Sequence, residues 1–271
     1  MSHRGKKGDT VHIPSPTRGA ASAKTAANAV TLIANVDSDI PVYINKHYEY
    51  SRLIEDIVAT QALTSLRSFY TEDAGYALGK QVDSDIIALV RTVQVGTGAR
   101  YAGAFIGSDG TTAYDYTTDN QAALTDAAIR RTIQRLDDVD TPMDNRFFII
   151  PPSSRNTLMG LARYTEQAFV GEAGQGNTIR NGEVGSLYGV SVFVSSNADT
   201  ANASEDGSGT AQPARIALMA HRDAFVLVEQ MGVRSQTQYQ QQFLANLFTA
   251  DTLYGVAELR DDGAVALAVP V

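Results

Sequence analysis

The chain has 271 residues, of which 44% are hydrophobic and 19% charged, a composition typical of a folded globular protein. Thirty acidic against 22 basic residues give a formal net charge of −8, so we do not expect binding of nucleic acid by broad phosphate neutralisation. There is no cysteine, which excludes disulfides, thiolate metal sites and a cysteine nucleophile. We find neither an apolar run long enough to span a membrane nor a signal peptide, so we expect a cytoplasmic protein without membrane contact.

The first stretch, residues 8–44, predicts a long β-hairpin. Val11 and Ile13 alternate with polar residues, the return strand is predicted over Val30–Val36, and a further extended piece over Pro41–Ile44. No large apolar residue occurs between Ile13 and Val30. Such an arm cannot bury itself, so we expect either a flexible loop or an arm that lies on a neighbouring subunit.

Two helices are predicted next, over Tyr48–Tyr70 and over residues 71–95. Thr71 is the expected N-cap of the second helix, and Gly96 and Gly98 are its expected stop. This second helix would be roughly 35 Å long. Its apolar residues recur every three or four positions on one stripe: Ala74, Leu78, Val82, Ile86, Leu89 and Val93.

The remaining sequence predicts helices and strands in blocks, which favours an α+β fold. The predicted elements are first a helix over Ala122–Leu136 that ends before Pro142, a buried strand over Phe147–Ile150, a helix capped by Ser153 and Ser154 that runs to Leu161, and a second buried strand over Leu187–Val194. An exposed loop is predicted over Asn197–Pro213, and the apolar segments IALMAH and AFVLVEQ after it are each either a strand or a buried helix. A solvated polar run over Gln236–Gln242 and a hairpin at Asp262-Gly263 complete the chain.

No residue pattern indicates catalysis or metal binding. The histidines, His3, His12, His47 and His221, do not show metal-ligand spacing, and the acidic groups 37/39, 83/85 and 137/138/140 stand where Asp caps or solvates an element. The glycines after residue 95 follow a helix, whereas a phosphate-binding loop follows a strand. We therefore predict no catalytic, cofactor or metal residues, and a protein that is not an enzyme.

The order of the segments is more informative than any single motif. GDTVHIP, ALGKQVDSDI, LDDVDTPMDNRFFIIPPSSRNTLM, GEVGSLYGVSVFVSSN and HRDAFVLVEQMGVR follow one another along the chain. In this order they resemble the major capsid proteins of tailed bacteriophages with the Hong Kong 97-type fold, especially the podovirus-like branch. The resemblance covers nearly the whole chain.

That resemblance implies an architecture. Residues 6–47 would form the extended loop (E-loop), and residues 48–118 and 220–271 the peripheral domain with its spine helix over 71–95. Residues 119–219 would form the axial domain. Relatives usually carry an N-terminal arm before the extended loop, which here begins almost at residue 1. Some relatives crosslink through a lysine of this loop; Lys24 and Lys46 match no such motif, so we predict no crosslink.

The implied function is a coat protein of the virion, assembled in the host cytoplasm. Its copies would form pentamers and hexamers of an icosahedral shell around double-stranded DNA, without sequence-specific DNA binding, cofactor or membrane, and with scaffolding, portal and decoration proteins as possible partners. Lys7, Arg18, Lys24 and Arg180 are the candidate inter-subunit contacts. The alternatives are an encapsulin-like compartment shell and, from another class, a soluble α+β ligand-binding protein or hydrolase.

Overall fold

The computed structural model describes residues 7–16, 19, 21–27, 29–30, 32, 37–61, 66–93, 101–115, 118, 120–161, 185–201 and 213–271. Its contacts divide the chain into two compact units. The ribbon unit comprises Met1–Leu78 and Leu227–Ala257, and the sheet unit comprises Gly79–Val226 and Glu258–Val271.

The helices and strands follow in chain order. They are β1 (Thr10–Pro16), β2 (Asp37–Tyr43), β3 (Lys46–Glu55), α1 (Asp56–Gln61), α2 (Leu66–Ile87), β4 (Phe105–Ile106), α3 (Asp126–Asp138), β5 (Arg146–Ile150), α4 (Pro152–Met159), β6 (Ser186–Leu187), β7 (Val190–Val194), β8 (Thr200–Ala201), β9 (Ala214–His221), β10 (Phe225–Gln240), β11 (Ala245–Glu258) and β12 (Ala264–Pro270). Short 3-10 helices cover Ala88–Arg91, Arg222–Ala224 and Asp261–Gly263.

The ribbon unit holds two small sheets. β1 pairs with β2 in an antiparallel two-stranded ribbon, and a three-stranded sheet has the order β10-β11-β3. Its core is small: Ile54, Ala74, Leu78, Phe248 and Ala250 pack together, with three tyrosines against them.

The sheet unit is built on one larger sheet of order β4-β12-β9-β5-β7-β6, with β8 beside β9. The two faces of β9 and β12 belong to different clusters. Met219, Val265 and Leu267 pack with α3 and α4, whereas Leu218, Ala266 and Ala268 pack with Val90 and Tyr101. The central strands are therefore apolar on both faces, as the runs FFII and IALMAH predicted.

The arm hairpin is present, but its return strand differs from the prediction. β1 pairs with Asp37–Tyr43, in register Val11↔Val42 and Ile13↔Ile40, and not with residues 30–36. Ile40 and Val42 are two residues apart, so they lie on one face of the strand and pair with the apolar residues Ile13 and Val11 of β1. This match explains why residues 37–43 form the return strand. Most of the predicted return strand lies outside the described residues.

The helices between residues 48 and 95 also differ. Residues 48–55 form part of strand β3, because Tyr48 and Tyr50 alternate with polar residues and pair with β11. α2 begins at Leu66, so Thr71 is inside the helix and donates its hydroxyl to the Arg67 carbonyl instead of capping. The predicted stripe is buried at Ala74, Leu78 and Val93. The helix is regular to Ile87 and the expected stop at Gly96 lies outside the described residues.

Further corrections concern the ends of elements. Helix α3 starts at Asp126 because the Thr125 side chain accepts a hydrogen bond from the Ala128 N–H. Helix α4 begins with Pro152 at its first turn and has no serine side-chain cap, and it ends at Met159. The segment 187–194 contains a turn at Tyr188-Gly189, both with positive φ, between β6 and β7.

Two loop predictions are wrong. Ala198, Asp199 and Ala201 are buried, so the start of the predicted exposed loop 197–213 belongs to the fold, through β8. Asp262-Gly263 does not make a hairpin, because β12 pairs with β9 and β4 while β11 pairs with β3 and β10. The aspartate-glycine signal marks a tight turn but does not decide which strand the following residues join.

Candidate assembly surfaces

The polar side chains singled out in the sequence serve local structure. His221 accepts a hydrogen bond from the Asp223 N–H and so caps a short 3-10 helix. His12 contacts Asp39 across the ribbon. In the part of the chain that the structure describes, no three histidine, aspartate or glutamate side chains are grouped closely enough to hold a metal ion. No helix there is long and apolar enough to cross a membrane.

The ribbon β1–β2 has two chemically different faces. Val11 lies opposite Val42, and Ile13 lies opposite Ile40, so one face is apolar. The His12 ring and the Asp39 carboxylate are in hydrogen-bond contact on the other face. Val42 is fully buried near the base of the ribbon, whereas the other three apolar residues stay partly exposed. The ribbon therefore presents an apolar stripe that is fully buried at the base, at Val42, and only partly covered at Val11, Ile13 and Ile40.

The base of the ribbon is held by two hydrogen bonds and by a close approach between backbones. The Ile44 N–H donates to the Asp9 carbonyl at 2.7 Å, and the Gln230 side-chain amide donates to the Gly8 carbonyl at 2.9 Å. Gly255 of β11 lies against Tyr43, and a Cβ there would stand 2.3 Å from the Tyr43 carbonyl oxygen. Only glycine allows this close approach, which fixes the position of the ribbon's base against β11.

A second apolar surface, the sheet-end patch, lies where β10 turns into β11. It consists of Leu53, Ile57, Val58, Phe243 and Leu244, all exposed. The Asp56 N–H donates to the Leu244 carbonyl at 3.1 Å, and the Tyr239 hydroxyl donates to the Asp56 carboxylate at 2.8 Å. These bonds hold α1 beside the β10–β11 turn and so bring the apolar residues to one end of the sheet.

Leu244 is unusual within this patch. Its φ is +47°, a conformation that bulky side chains rarely adopt, and 66% of the residue is exposed. The backbone of Leu244 serves the subunit by accepting the Asp56 N–H, whereas its apolar side chain stays largely exposed. Such outliers persist where function requires them, so Leu244 favours the sheet-end patch as a contact surface.

A row of charged side chains crosses the three-stranded sheet. Arg234 on β10 donates two hydrogen bonds to Asp251 on β11, at 2.7 and 2.9 Å, and His47 on β3 lies 3.1 Å from the same carboxylate. The Arg234 guanidinium is the main reason that the pKa of Asp251 is lowered. The row ties the three strands together at a carboxylate that is largely shielded from solvent.

The N-terminal half of α2 also exposes aromatic side chains. Phe69 and Tyr76 are seven residues apart, so they lie on the same helix face, and they are 62% and 70% exposed. Next to this face, Tyr50 donates to Asp73 at 2.5 Å, and this hydrogen bond raises the pKa of the Tyr50 hydroxyl. The helix packs through Ala74 and Leu78, which are buried, while Phe69 and Tyr76 present aromatic rings to solvent.

The sheet unit has an apolar groove of about 460 Å³. It is lined by Asp83, Ile86, Ile87, Phe147, Ile149, Phe193, Val194 and Ser195. Phe193 and Val194, at the end of β7, are exposed. A single carboxylate and a single hydroxyl in an otherwise apolar lining are not a catalytic arrangement.

The sheet unit also contains a partly buried ionic network that the sequence did not reveal. Arg91 donates to both oxygens of Asp199 at 2.7 and 2.8 Å, and the Tyr101 hydroxyl donates to the same carboxylate at 2.8 Å. The bidentate geometry and the extra hydroxyl satisfy the buried charge. This network is structural and attaches the end of the long helix to the β8 segment.

The structure places only two of the four predicted contact residues. Lys7 and Lys24 are exposed, and Arg18 and Arg180 lie outside the described residues, so all four stay predictions. Sequence reasoning missed Phe243, Leu244, Phe69 and Tyr76. For the first two a signal existed, since two large apolar residues directly follow a glutamine-rich run between strands. Phe69 and Tyr76 do not belong to the apolar stripe of their helix, and the sequence spacing already indicates this.

Comparisons with known proteins agree with a structural role. Residues 2–269 match the family described as phage capsid protein. No curated protein sequence matches significantly. Among solved structures, a chain of Mycobacterium phage Che8 is 21% identical with a TM-score of 0.69, and the match covers 96% of this chain and 85% of that one.

Two further structures extend the comparison. The capsid of cyanophage P-SCSP1u is 17% identical with a TM-score of 0.73, covering 99% of this chain and 85% of that one. The capsid of Ralstonia phage GP4 is 16% identical with a TM-score of 0.68, covering 100% and 86%. At these identities the likeness concerns the fold, whereas the family match covers nearly the whole sequence. The chain belongs to the phage capsid protein family and has the Hong Kong 97-type fold.

Proposed function

We propose that copies of this chain assemble as pentamers and hexamers into an icosahedral shell that encloses the double-stranded DNA of a tailed phage. The observation that carries the proposal is the two-stranded ribbon, which has a partly exposed apolar stripe in a chain of the capsid family. A two-stranded ribbon is marginally stable alone, so a neighbouring copy is the simplest cover for this stripe.

We assign the proposed parts as follows. Residues 6–47 are the extended loop that lies over a neighbour, residues 48–118 and 220–271 are the peripheral domain, and residues 119–219 are the axial domain around the symmetry axes. Lys7, Arg18, Lys24 and Arg180 are candidate contacts within this arrangement. The sheet-end patch supplies an apolar contact to a further copy.

Many modest contacts per subunit suit this function. Each apolar surface described above is small, so a single pairwise contact would be weak and reversible. A closed shell engages all of them at once, and multivalency then makes the assembly stable although each contact can still rearrange.

The charge distribution supports enclosure of DNA without a tight grip. The sheet unit has 13 basic and 20 acidic residues, and the ribbon unit 9 and 10. A strongly cationic surface would hold the phosphate backbone firmly, whereas an acidic subunit leaves the DNA free to enter and leave. We propose assembly in the host cytoplasm, with scaffolding, portal and decoration proteins as partners.

Negative-stain electron microscopy with light scattering, at two salt concentrations, tests the proposal. Uniform closed shells, or hexamers and pentamers that close when the salt changes, are the expected result. A strictly monomeric protein at every salt and concentration would contradict it. The soluble ligand-binding or hydrolase alternative is not favoured by the family match. The encapsulin-like alternative shares the fold, and particles purified from the native source that lack DNA would favour it.

A further inference from the structure

Helix α3 carries two arginines that form no ion pair with any carboxylate among the residues that the structure describes. Arg131 and Arg135 are four residues apart, hence on the same helix face, beside the loop that contains Gly110. Two other arginines of this region are paired: Arg130 with Asp126 at 3.0 Å and Arg146 with Asp137 at 2.7 Å. The contrast sets Arg131 and Arg135 apart.

The contacts of both side chains are with neutral groups. Arg131 donates to the Gln134 side-chain carbonyl at 2.8 Å, and its buried Nε has no hydrogen-bond partner. Arg135 donates to the Gly110 carbonyl at 3.1 Å and lies over the Phe105 ring at 3.6 Å. Within the described ranges no carboxylate oxygen comes within 4 Å of either guanidinium. Both residues keep part of their surface exposed.

This arrangement is electrostatically unfavourable in the isolated subunit. Burial and, next, the charge of Arg131 lower the pKa of Arg135, while the charges of Asp138 and Asp109 oppose the effect. The Asp109 carboxylate is engaged in its own loop, where its oxygens accept the Thr111 and Thr112 N–H groups and the Thr112 hydroxyl. Like charges at this spacing destabilise a helix, and a buried unpaired donor adds to the cost. An anion bound to the pair would remove both penalties.

We propose that Arg131 and Arg135 together bind a carboxylate side chain from a neighbouring copy of this chain. The inference rests on the proposed shell, in which copies meet one another. Guanidinium groups match the planar carboxylate and bind it with two parallel hydrogen bonds. The chain offers 30 acidic residues, 20 of them in the sheet unit, so a neighbour presents carboxylates in excess.

DNA phosphate is the competing anion, and the small number of charges in the pair disfavours it. Two arginines neutralise too few phosphates for substantial affinity at physiological salt.

The test compares the double variant Arg131→Gln/Arg135→Gln with Arg130→Gln, a neighbouring arginine that already has its intramolecular partner. For each protein the lowest concentration that yields shells is measured by light scattering at two salt concentrations. Binding of unassembled subunits to a fluorescent DNA duplex is measured by anisotropy. Circular dichroism establishes that the variants are folded, and the single variant Arg131→Gln replaces the double one if that does not fold.

We expect the double variant to need at least about tenfold more protein to form shells. The lowest concentration that yields shells should also depend much less on salt than it does for the wild type. DNA binding should be unchanged, and Arg130→Gln should form shells at nearly the wild-type concentration. If the wild type and the double variant form shells equally well, the proposed role of Arg131 and Arg135 is wrong, while the shell proposal still stands. If the double variant binds DNA more weakly but forms shells normally, the two arginines bind DNA phosphate, and the proposal that they bind a neighbour's carboxylate is wrong. Failure of the wild type to form any particle would overturn both proposals.

Discussion

The two units of the chain use their apolar residues differently. Among the described residues, the sheet unit packs its large sheet between two clusters of 15 and 14 buried hydrophobic residues, whereas the cluster of the ribbon unit has five. Of the 19 exposed large hydrophobic side chains in the described part of the chain, 12 belong to the ribbon unit, which has 109 of the 271 residues. The described apolar side chains of the sheet unit are thus mostly enclosed, whereas those of the ribbon unit are more often exposed to solvent.

We infer from this difference a division of labour between the two units in the proposed shell. The sheet unit would supply most of the subunit's stability, because burial of apolar area is concentrated there. The ribbon, the sheet-end patch and the exposed face of α2 would add stability when a neighbouring copy removes them from water. The following variants test that division of labour, from the largest expected effect to the smallest.

Phe148→Ala should cause the largest loss of subunit stability. Phe148 is fully buried between the central strand β5 and the helices, so truncation leaves a cavity and costs about 3–5 kcal/mol. The control is Phe193→Ala, on the neighbouring strand but 56% exposed, for which we expect less than about 1 kcal/mol. Urea unfolding followed by circular dichroism measures both, and equal losses would contradict the proposed role of the sheet core.

Gly255→Val should destabilise the base of the ribbon. The new side chain would meet the Tyr43 carbonyl, and relief of that overlap costs roughly 1–3 kcal/mol. The matched control is Gly75→Ala in α2, where a Cβ meets nothing within 4 Å, and we expect a gain of about 0.5–1 kcal/mol there. Limited proteolysis of the ribbon should become faster only for Gly255→Val; unchanged cleavage would show that the base tolerates a side chain.

The stability of the sheet unit should depend on pH through Glu258. Burial, with the negative charge of Asp261 as a smaller cause, raises the pKa of this half-buried carboxyl from about 4.5 to about 7, although the Thr92 hydroxyl bonds to it. The folded state then binds more protons than the unfolded chain between these two values, so stability falls as pH rises from about 4.5 to about 7.

We expect a difference of about 1–2 kcal/mol across this range, less than the full shift implies because solvent screens a half-exposed group. Glu258→Gln should flatten the profile, and the exposed control Asp144→Asn should leave it as it is. Urea midpoints at pH 5, 6, 7 and 8 give the slope. A wild-type profile that is already flat would refute the assignment.

Leu244→Asn should hardly affect the subunit but should weaken assembly. Asparagine tolerates the left-handed conformation that Leu244 adopts, so subunit stability should stay within about 1 kcal/mol of wild type. Loss of an apolar contact repeated throughout a shell should raise the concentration needed for assembly at least about tenfold, equivalent to about 1.4 kcal/mol. Met143→Ser, an exposed residue of the sheet unit, is the control and should assemble normally.

Much of the sheet unit could be predicted because its sequence is locally unambiguous. The runs FFII and IALMAH are apolar on both faces, and the structure buries them centrally. The apolar stripe of α2 was also visible in its periodicity. The order of segments predicted the capsid fold, which the family match confirms.

What the sequence could not reveal are the long-range pairings. β12 follows an aspartate-glycine turn but joins β9 instead of its predecessor β11, and nothing local distinguishes these partners. Asp199 stands in a small-residue segment that looks like an exposed loop, yet Arg91, 108 positions earlier, holds it in the fold. The left-handed backbone of Leu244 likewise has no signature in residue type.

Hydrogen–deuterium exchange of unassembled subunits and of assembled shells tests the central claim most directly. Amides of the ribbon strands 10–16 and 37–43 and of the turn 241–244 should exchange at least about tenfold more slowly in shells. Those of β9 and β12 in the sheet core should exchange equally slowly in both states. Identical exchange of the ribbon in subunit and shell would contradict the claim that a neighbouring copy covers it.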